Sequence, residues 1–319
     1  MPFDPPDVSV VICAYTEKRW AELCAAVGSL ERQTLAPREI IVVVDHNPAL
    51  LARARAQFSK HRVVENDEAR GLGGARNSGV RAAQGAIVAF LDDDARAADD
   101  WLEKMMEPYH DSKVAGVGGA TRAYWQGGKP AWFPDEFGWV VGCSYRGLPE
   151  QLAPVRNLHG CNMSYRRDLL NALGGFQLGY GCDETELCIR LQRRCPGVQL
   201  LYQPAAQIDH QVTPERATWR YLLSRCYFEG GSKAVVSWLV GSRQGLASER
   251  VYALHTLPGG LRHNLGDGLF RRDLAGLARA AAIVAGLGST ALGYVIGKAT
   301  TRQAARRRGW SGSWQKEPA

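Results

Sequence analysis

Apolar runs and amphipathic segments alternate through the first third of the chain. Residues 8–15 and 39–45 are runs rich in Val and Ile, which is typical of strands buried on both faces of a parallel sheet. Between these runs, the spacing of apolar residues predicts a helix over 17–33. A short strand, a helix over 74–84 and a strand ending at Asp92 continue the alternation. This order predicts a doubly wound α/β fold with right-handed crossovers.

Three consecutive aspartates, Asp92, Asp93 and Asp94, end the apolar run 86–91. Open α/β sheets bind ligands at the carboxyl ends of their strands, and carboxylate oxygens are the ligands that Mg2+ prefers. Adjacent like charges repel one another unless a cation or hydrogen-bond donors neutralise them. The pattern therefore predicts a site for a divalent metal. The alternative is that Asp94 caps the next helix, which requires one aspartate and not three.

Polar residues follow the other predicted strands at the same sheet edge. Tyr15 follows the first strand and Asp45 follows the second, so both are expected to face one crevice with Asp92. The Gly-rich stretch 71–79 differs from a dinucleotide fingerprint, because it does not follow the first strand and its third glycine is displaced. It instead predicts a tight turn into a helix whose N-terminal amides, with Arg76, face an anion such as a pyrophosphate.

A second group of motifs follows in the middle of the chain. Asp183, Glu184 and Glu186 precede Leu187, and acids in this position favour the start of a helix. The same acids can also do chemistry, because a helix N-terminus can present a catalytic carboxylate. Arg190 is expected to pair with Glu186, four residues earlier. The group comprises residues 160–167, Gly174-Gly175-Phe176, Asp183 to Leu187, and Arg190.

Taken in order, these motifs resemble an inverting glycosyltransferase of family 2 with the GT-A fold, over roughly residues 8–235. The resemblance implies a doubly wound, mixed and mostly parallel sheet with helices on both faces, followed by a C-terminal helical appendage. It implies transfer of a sugar from a nucleoside diphosphate sugar, UDP- or TDP-linked, to an acceptor hydroxyl with inversion at C1. It also implies Mg2+ or Mn2+ as cofactor, held by the Asp-x-Asp element Asp92 to Asp94.

The resemblance assigns a metal site and a catalytic base. Asp94 is expected to bind the metal, and Asp92 to support the metal or the ribose. His210 matches a position where related enzymes place a histidine near the metal, although a lone histidine is as often structural. Glu184 is expected to be the general base, with Asp183 as its competitor because the family's usual Glu-Asp order is inverted here.

The resemblance also implies contacts with the two substrates. One departure lies at His46-Asn47-Pro48, where the family usually has an acid or Asn followed by Gly and Ser, and it leaves the base of the donor open. The aromatic loop 125–145 either covers an acceptor sugar or forms a core under a long loop. The nucleotide contacts are expected from Ala14, Tyr15, Glu17, Asp45, Arg76, Asp92 and Asp93. The acceptor contacts are expected from Trp132, Trp139 and Asn162.

Composition fits a globular protein of 319 residues, 45% of them hydrophobic and 22% charged. We predict a nucleotide-sugar-binding half over 1–120, an acceptor and base half over 121–237, and a helical extension with a basic tail over 238–319. The N-terminus shows no basic segment followed by an apolar one, so a cytoplasmic location is expected. The eight cysteines lack zinc-finger spacing and are expected to be reduced, with a metal site at Cys182, Cys188 and Cys195 the minor alternative.

The net charge of +7 is concentrated in the last fifty residues, and no nucleic-acid-binding motif accompanies it. Residues 280–297 carry no charge, and their length is at the lower limit for a membrane span. Two interpretations stay open. The segment is a helix packed on the catalytic domain or on a second copy in a homodimer, or residues 280–308 contact the cytoplasmic face of a membrane.

Two other functional classes compete with the transferase. A nucleotidyltransferase requires a Gly-rich loop with a basic residue after the first strand, and residues 15–19 contain no Gly. A catalytically silent nucleotide-sugar-binding or membrane scaffold protein remains the alternative. The sequence leaves the acceptor open between a sugar, a lipid-linked molecule and a small molecule.

Overall fold

The computed structural model describes residues 7–177, 183–241 and 246–308. Within this part of the chain, nine strands form one mixed sheet. The strands and helices predicted up to Asp92 are present, with ends that shift by at most three residues. The strands are β1 (Val8–Ala14), β2 (Glu39–Val44), β3 (Arg62–Glu65), β4 (Ile87–Asp92), β5 (Ala95–Ala97), β6 (Val114–Trp125), β7 (Ala153–Pro154), β8 (Asn162–Arg166) and β9 (Gln199–Val212).

In the described residues, helices alternate with the strands along the chain, and further helices follow the last strand. The helix over Pro48–Gln57 was not predicted, and it begins with a side-chain cap from Asn47 and with Pro48 in its first turn. The helices are α1 (Trp20–Glu31), α2 (Pro48–Gln57), α3 (Leu72–Ala82), α4 (Trp101–Met106), α5 (Arg167–Ala172), α6 (Asp183–Arg194), α7 (Trp219–Val240), α8 (Ala247–Val251), α9 (Leu257–Phe270) and α10 (Leu274–Arg308).

The strand order of the sheet is β3-β2-β1-β4-β8-β6-β9-β5, with β7 paired to β9. The first four strands in this order are parallel, and β8 joins β4 in the antiparallel sense. Alternate residues of β1 point to opposite faces, so Val10 and Ile12 pack with α1 while Val11 packs with α3. Gly79 permits the close approach of α3, since a Cβ there would lie 2.5 Å from Val11 Cγ1.

The described residues group into two compact units. The first contains residues 7–122, 149–177 and 183–210, and the second contains 123–148, 211–241 and 246–308. These bounds reflect packing, whereas the predicted segments divide the chain by function, and that functional division stays a prediction. Seven cysteines of the described residues are free thiols. Cys182, which the minor metal alternative requires, lies outside the described residues.

The second unit has its own core, in which α7 and α10 pack along each other. Ala282 and Ile283 of α10 are buried with Leu222 and Cys226 of α7. A Cβ at Gly293 would lie 2.0 Å from the carbonyl oxygen of Tyr227, so only glycine permits this approach. The uncharged segment predicted over 280–297 is thus part of one long helix with a packed face.

A buried ion pair holds α6 in the first unit. Arg190 and Glu186 are 1% and 3% exposed, with a distance of 2.8 Å between Arg190 Nε and Glu186 Oε1. The pairing predicted from their spacing is therefore present. Arg190 also donates to the carbonyl oxygens of Leu173 and Gly175, which fixes the preceding turn against the helix.

We expect Glu186→Ala to lower the free energy of unfolding by about 3 to 5 kcal/mol, because it leaves the Arg190 charge buried without its partner. The matched control is Glu184→Ala on the same helix, where the side chain is 32% exposed. That control should change the free energy by less than about 1 kcal/mol. Denaturant titration measures both, and equal effects would contradict the assignment.

Candidate active site

The three aspartates lie where β4 ends and the chain turns into β5. Asp92 is the last residue of β4, while Asp93 and Asp94 are 3% and 6% exposed. His210 reaches the same place from β9, because it pairs in register with Ala95 of β5. His210 Nε2 lies 3.1 Å from Asp94 Oδ1, and ligand atoms of Asp92, Asp94 and His210 all fall within 4.8 Å of one another.

This group fits a divalent cation by the chemistry of its donors. Two carboxylates and one imidazole suit Mn2+, and the carboxylates alone suit Mg2+. The Oδ2 atom of Asp93 is buried with no hydrogen-bond partner, so the turn carries negative charge that the protein leaves partly unsatisfied. Burial raises the pKa of Asp92, and the charge of Asp94 raises it further against the opposing effect of Arg76. A bound cation would relieve these costs.

Arg19 is the nearest cation to this turn, and the sequence analysis missed it. Its Nη1 lies 2.9 Å from Asp93 Oδ1 and 3.1 Å from Asp94 Oδ2. The guanidinium also lies 5.6 Å from the ring centroid of Tyr15. The local sequence offers no signal for this role, since Arg19 lies at the end of a short exposed 3-10 turn and meets the aspartates only through the tertiary fold.

Arg76 connects the strand edge to α6. Its buried guanidinium donates to the carbonyl oxygen of Gly160 at 2.8 Å. Its Nη2 lies 4.0 Å from Asp92 Oδ1, and its Nη1 lies 3.8 Å from Glu184 Oε2. One buried cation thus lies between the last residue of β4 and an acid in the first turn of α6, two positions separated by 92 residues in the chain.

Asp45 lies at the end of β2, as predicted, and its carboxylate is fully engaged. It accepts hydrogen bonds from Asn66 Nδ2 at 2.7 Å and from the Gly71 amide at 3.0 Å, and it lies 2.9 Å from His46 Nδ1. Burial raises the pKa of Asp45, but the bonds from Asn66 and His46 outweigh this and hold the pKa below its ordinary value. His46 has a left-handed backbone with φ of 49°.

A cavity of about 290 Å3 opens beside these residues. Tyr15, 56% exposed, stands at its border. Its walls include the strand-end residues that were predicted to lie close together, and they also include Arg19. Its lining is Cys13, Ala14, Tyr15, Arg19, Asp45, Gly71, Leu72, Ala75, Asp92 and Asp93.

The family model for glycosyl transferase family 2 matches residues 9–174. This chain belongs to that family. It is 34% identical over 244 residues to the glucosyl-dolichyl phosphate glucuronosyltransferase of Haloferax volcanii, a match that covers 73% of this chain and 78% of that protein. The predicted membership of family 2 is therefore confirmed, and the chain is a glycosyltransferase.

Solved structures similar to this family 2 chain include a mannosyltransferase and GalNAc-T7. A mannosyltransferase from Pyrobaculum calidifontis in complex with GDP-Man and Mn2+ matches 98% of this chain and 85% of its own, with a TM-score of 0.57 at 21% identity. GalNAc-T7 with UDP, GalNAc and Mn2+ matches 66% of this chain and 44% of its own, with a TM-score of 0.52 at 20% identity. These likenesses confirm the predicted GT-A fold, with its mixed sheet and C-terminal helical segment.

Asn162 has a position that argues against acceptor contact in this family 2 chain. It is fully buried, accepts a hydrogen bond from Trp101 Nε1 at 2.8 Å, and donates to the carbonyl oxygens of Ala120 and Ala206. These partners belong to α4, β6 and β9, so the side chain joins three elements. The local sequence motif does not reveal these contacts, because they come from residues far away in the chain, and an acceptor role for Asn162 stays a prediction.

The remaining predicted site residues have other surroundings. Glu17 is exposed in the 3-10 turn after β1, and its role stays a prediction. Trp132 and Trp139 belong to the second unit, where Trp132 stacks on Trp219 at 4.6 Å and Trp139 Nε1 donates to Tyr252. Phe133 and Phe137 are 1% exposed, so the aromatic loop contributes a core. An acceptor role for Trp132 and Trp139 stays a prediction.

The raised pKa of Asp93 predicts how metal-free stability changes with pH. Burial, aided by the charge of Asp94, raises this pKa to about 7 despite the nearby Arg19. Between the ordinary pKa of an aspartate and about 7, Asp93 keeps a proton in the folded state but has released it in the unfolded state. The free energy of unfolding of the wild type therefore falls as the pH rises through this range. Asp93→Asn should therefore gain stability over the wild type as the pH rises from about 5 to 8.

Denaturant titrations in chelator, repeated across this pH range, measure the difference. Asp99→Asn is the control, because its side chain is 71% exposed. Parallel pH curves for the wild type and Asp93→Asn would contradict the assignment.

Proposed function

We propose that the protein transfers a hexose from a nucleoside diphosphate sugar to an acceptor hydroxyl, with inversion at C1 and with Mg2+ or Mn2+ as cofactor. The observation that carries the proposal is the position of Arg76 between Asp92 and Glu184. Through this arginine, the carboxylate of Glu184 in α6 lies near the end of β4, where the donor diphosphate is expected. A leaving diphosphate and a proton-accepting group are both required for such a transfer.

The nucleotide is proposed to lie in the cavity beside β1 and β2. Tyr15 offers an exposed ring for stacking, and Asp45 fixes the Gly71 turn by accepting its amide hydrogen bond. Arg76 and Arg19 supply positive charge toward a diphosphate. Asp92, Asp94 and His210 are the proposed metal ligands, and a bound Mg2+ or Mn2+ would stabilise the negative charge on the leaving diphosphate.

Glu184 is the proposed general base. Its side chain is 32% exposed, so it is accessible to an acceptor hydroxyl, and it lies 3.8 Å from the guanidinium of Arg76. As a carboxylate, Glu184 can take the hydroxyl proton while the oxygen attacks C1 from the face opposite the leaving group. Asp183, one residue earlier in the first turn of α6, is the competing candidate.

The donor and acceptor are proposed in chemical terms. The two similar structures contain GDP-Man and UDP, so the proposal of a UDP- or TDP-linked donor rests on the family resemblance alone. The name of the Haloferax volcanii relative includes a dolichyl phosphate. We therefore place a lipid-linked acceptor first, ahead of a free sugar or another small molecule. A catalytically silent nucleotide-sugar-binding protein is the competing function.

Glu184→Gln should lower kcat by at least about a hundredfold while leaving the Kd of the donor within about threefold, because it removes the base but keeps the size of the side chain. Asp183→Asn is the matched variant, and it should retain most of the activity. Release of the nucleoside diphosphate in the presence of acceptor measures turnover. If only Asp183→Asn lowered kcat, Asp183 and not Glu184 would be the general base.

Proton NMR of the product tests inversion directly. An α-linked donor should give a β-linked product, and retention of configuration would contradict the single attack proposed here. A wild-type protein that binds a nucleotide sugar but turns over none of the UDP-, TDP- and GDP-sugars with any acceptor class would favour the silent binding protein.

A further inference from the structure

One face of α10 packs against the rest of the second unit, and the opposite face is exposed. The covered face includes Ala282 and Ile283, which are at most 2% exposed. The other face presents large apolar side chains that recur at helical spacing. We call these residues the exposed stripe: Leu274, Leu277, Val284, Leu292 and Val295, which are 37% to 78% exposed.

The exposed stripe is long and carries no charge. From Leu274 to Val295 it runs for about 32 Å at 1.5 Å per residue. Apolar surface of this extent on a soluble protein marks an interaction surface. Leu269 and Phe270, at the end of α9, add side chains that are 67% and 88% exposed directly before the stripe begins.

Charge identifies the kind of partner. Residues 257–308 contain nine Lys or Arg and two Asp, so their net charge of +7 equals that of the whole chain. Arg271 and Arg272 are exposed at the start of the stripe, and Lys298 is exposed at its end. These three exposed cations are complementary to anionic lipid headgroups. Two copies would bring two positively charged surfaces together, which disfavours a homodimer through this face.

The packing of α10 distinguishes lying on a bilayer from crossing it. Leu274–Thr301 is long and apolar enough to cross a membrane. However, α7 packs against the middle of α10, where Ser289 Oγ donates to the carbonyl oxygen of Leu223. In this region α7 carries Arg225, which is exposed, and Lys233, which pairs with Glu229. Crossing the membrane would take these charges into hydrocarbon at a large cost.

We propose that α10 is an in-plane membrane anchor, whose exposed stripe enters the headgroup region of an anionic bilayer while Arg271, Arg272 and Lys298 contact the lipid headgroups. The proposal uses only the surface of the second unit and does not depend on the transferase activity. A lipid-linked acceptor would be presented at the same membrane surface.

Flotation of the full chain with vesicles tests this proposal. The wild type should bind vesicles containing phosphatidylglycerol, and should bind pure phosphatidylcholine at least about tenfold more weakly. Leu292→Glu with Val295→Glu should weaken binding to the anionic vesicles at least about tenfold. The control is Leu152→Glu, which places one of the two added negative charges on an apolar residue of the first unit that is 48% exposed, and it should bind as the wild type does.

Three outcomes would overturn the proposal: no binding of the wild type to either vesicle, binding unaffected by the double variant, or resistance to alkaline carbonate extraction, which indicates a spanning helix. Light scattering without lipid adds a fourth, because a wild-type dimer that the double variant dissociates would assign the stripe to a second copy. Thermal unfolding checks that the double variant is folded. If it is not, Leu274→Gln with Leu277→Gln replaces it with the same expected result.

Discussion

The site depends on how the protein compensates the negative charge at the end of β4. Three adjacent carboxylates are held in a largely buried turn, and this is costly unless cations are near. The fold supplies Arg19 from the turn after β1 and Arg76 from α3. When all three carboxylates are ionised, these two guanidinium groups leave a net negative charge, and a bound divalent cation would neutralise it. Burial, together with the neighbouring charge of Asp94, raises the pKa of Asp93 despite the opposing effect of Arg19.

Arg76 also connects separate parts of the first unit. Its carbonyl acceptor, Gly160, comes from the loop before β8, and its acidic neighbours come from β4 and α6. The nearby Asn77 donates to the carbonyl oxygen of Phe176 and accepts from the Phe176 amide. Helix α3 thus holds Phe176 through Asn77, and it places Arg76 beside the proposed base Glu184.

The sequence predicted those parts of the site that depend on local pattern. Apolar runs that end in Asp45 and Asp92 placed both at one edge, since parallel strands share their carboxyl ends. The spacing of Glu186 and Arg190 predicted their pair. Arg19 and Asn66 were missed, because their roles arise only when separate elements meet. The buried contacts of Asn162 were missed for the same reason, as its three partners lie 42 to 61 residues away.

The second unit was the harder part to predict. The uncharged run 280–297 is compatible with a packed helix and with a membrane contact, and in the structure α10 has one packed face and one exposed apolar face. Sequence periodicity is weak here, because Ala and Gly occupy both faces and carry little information about burial. The structure of α7 was needed to show which side of α10 is covered.

The central claim is that a nucleoside diphosphate sugar binds together with a divalent metal at the end of β4. A thermal-shift screen of UDP-, TDP- and GDP-sugars, each with Mn2+ and with chelator, tests it most directly when wild type and Asp94→Ala are compared. We expect at least one nucleotide sugar to stabilise the wild type only with Mn2+, and to leave Asp94→Ala unshifted. Equal stabilisation of both proteins, or stabilisation that persists in chelator, would contradict the claim.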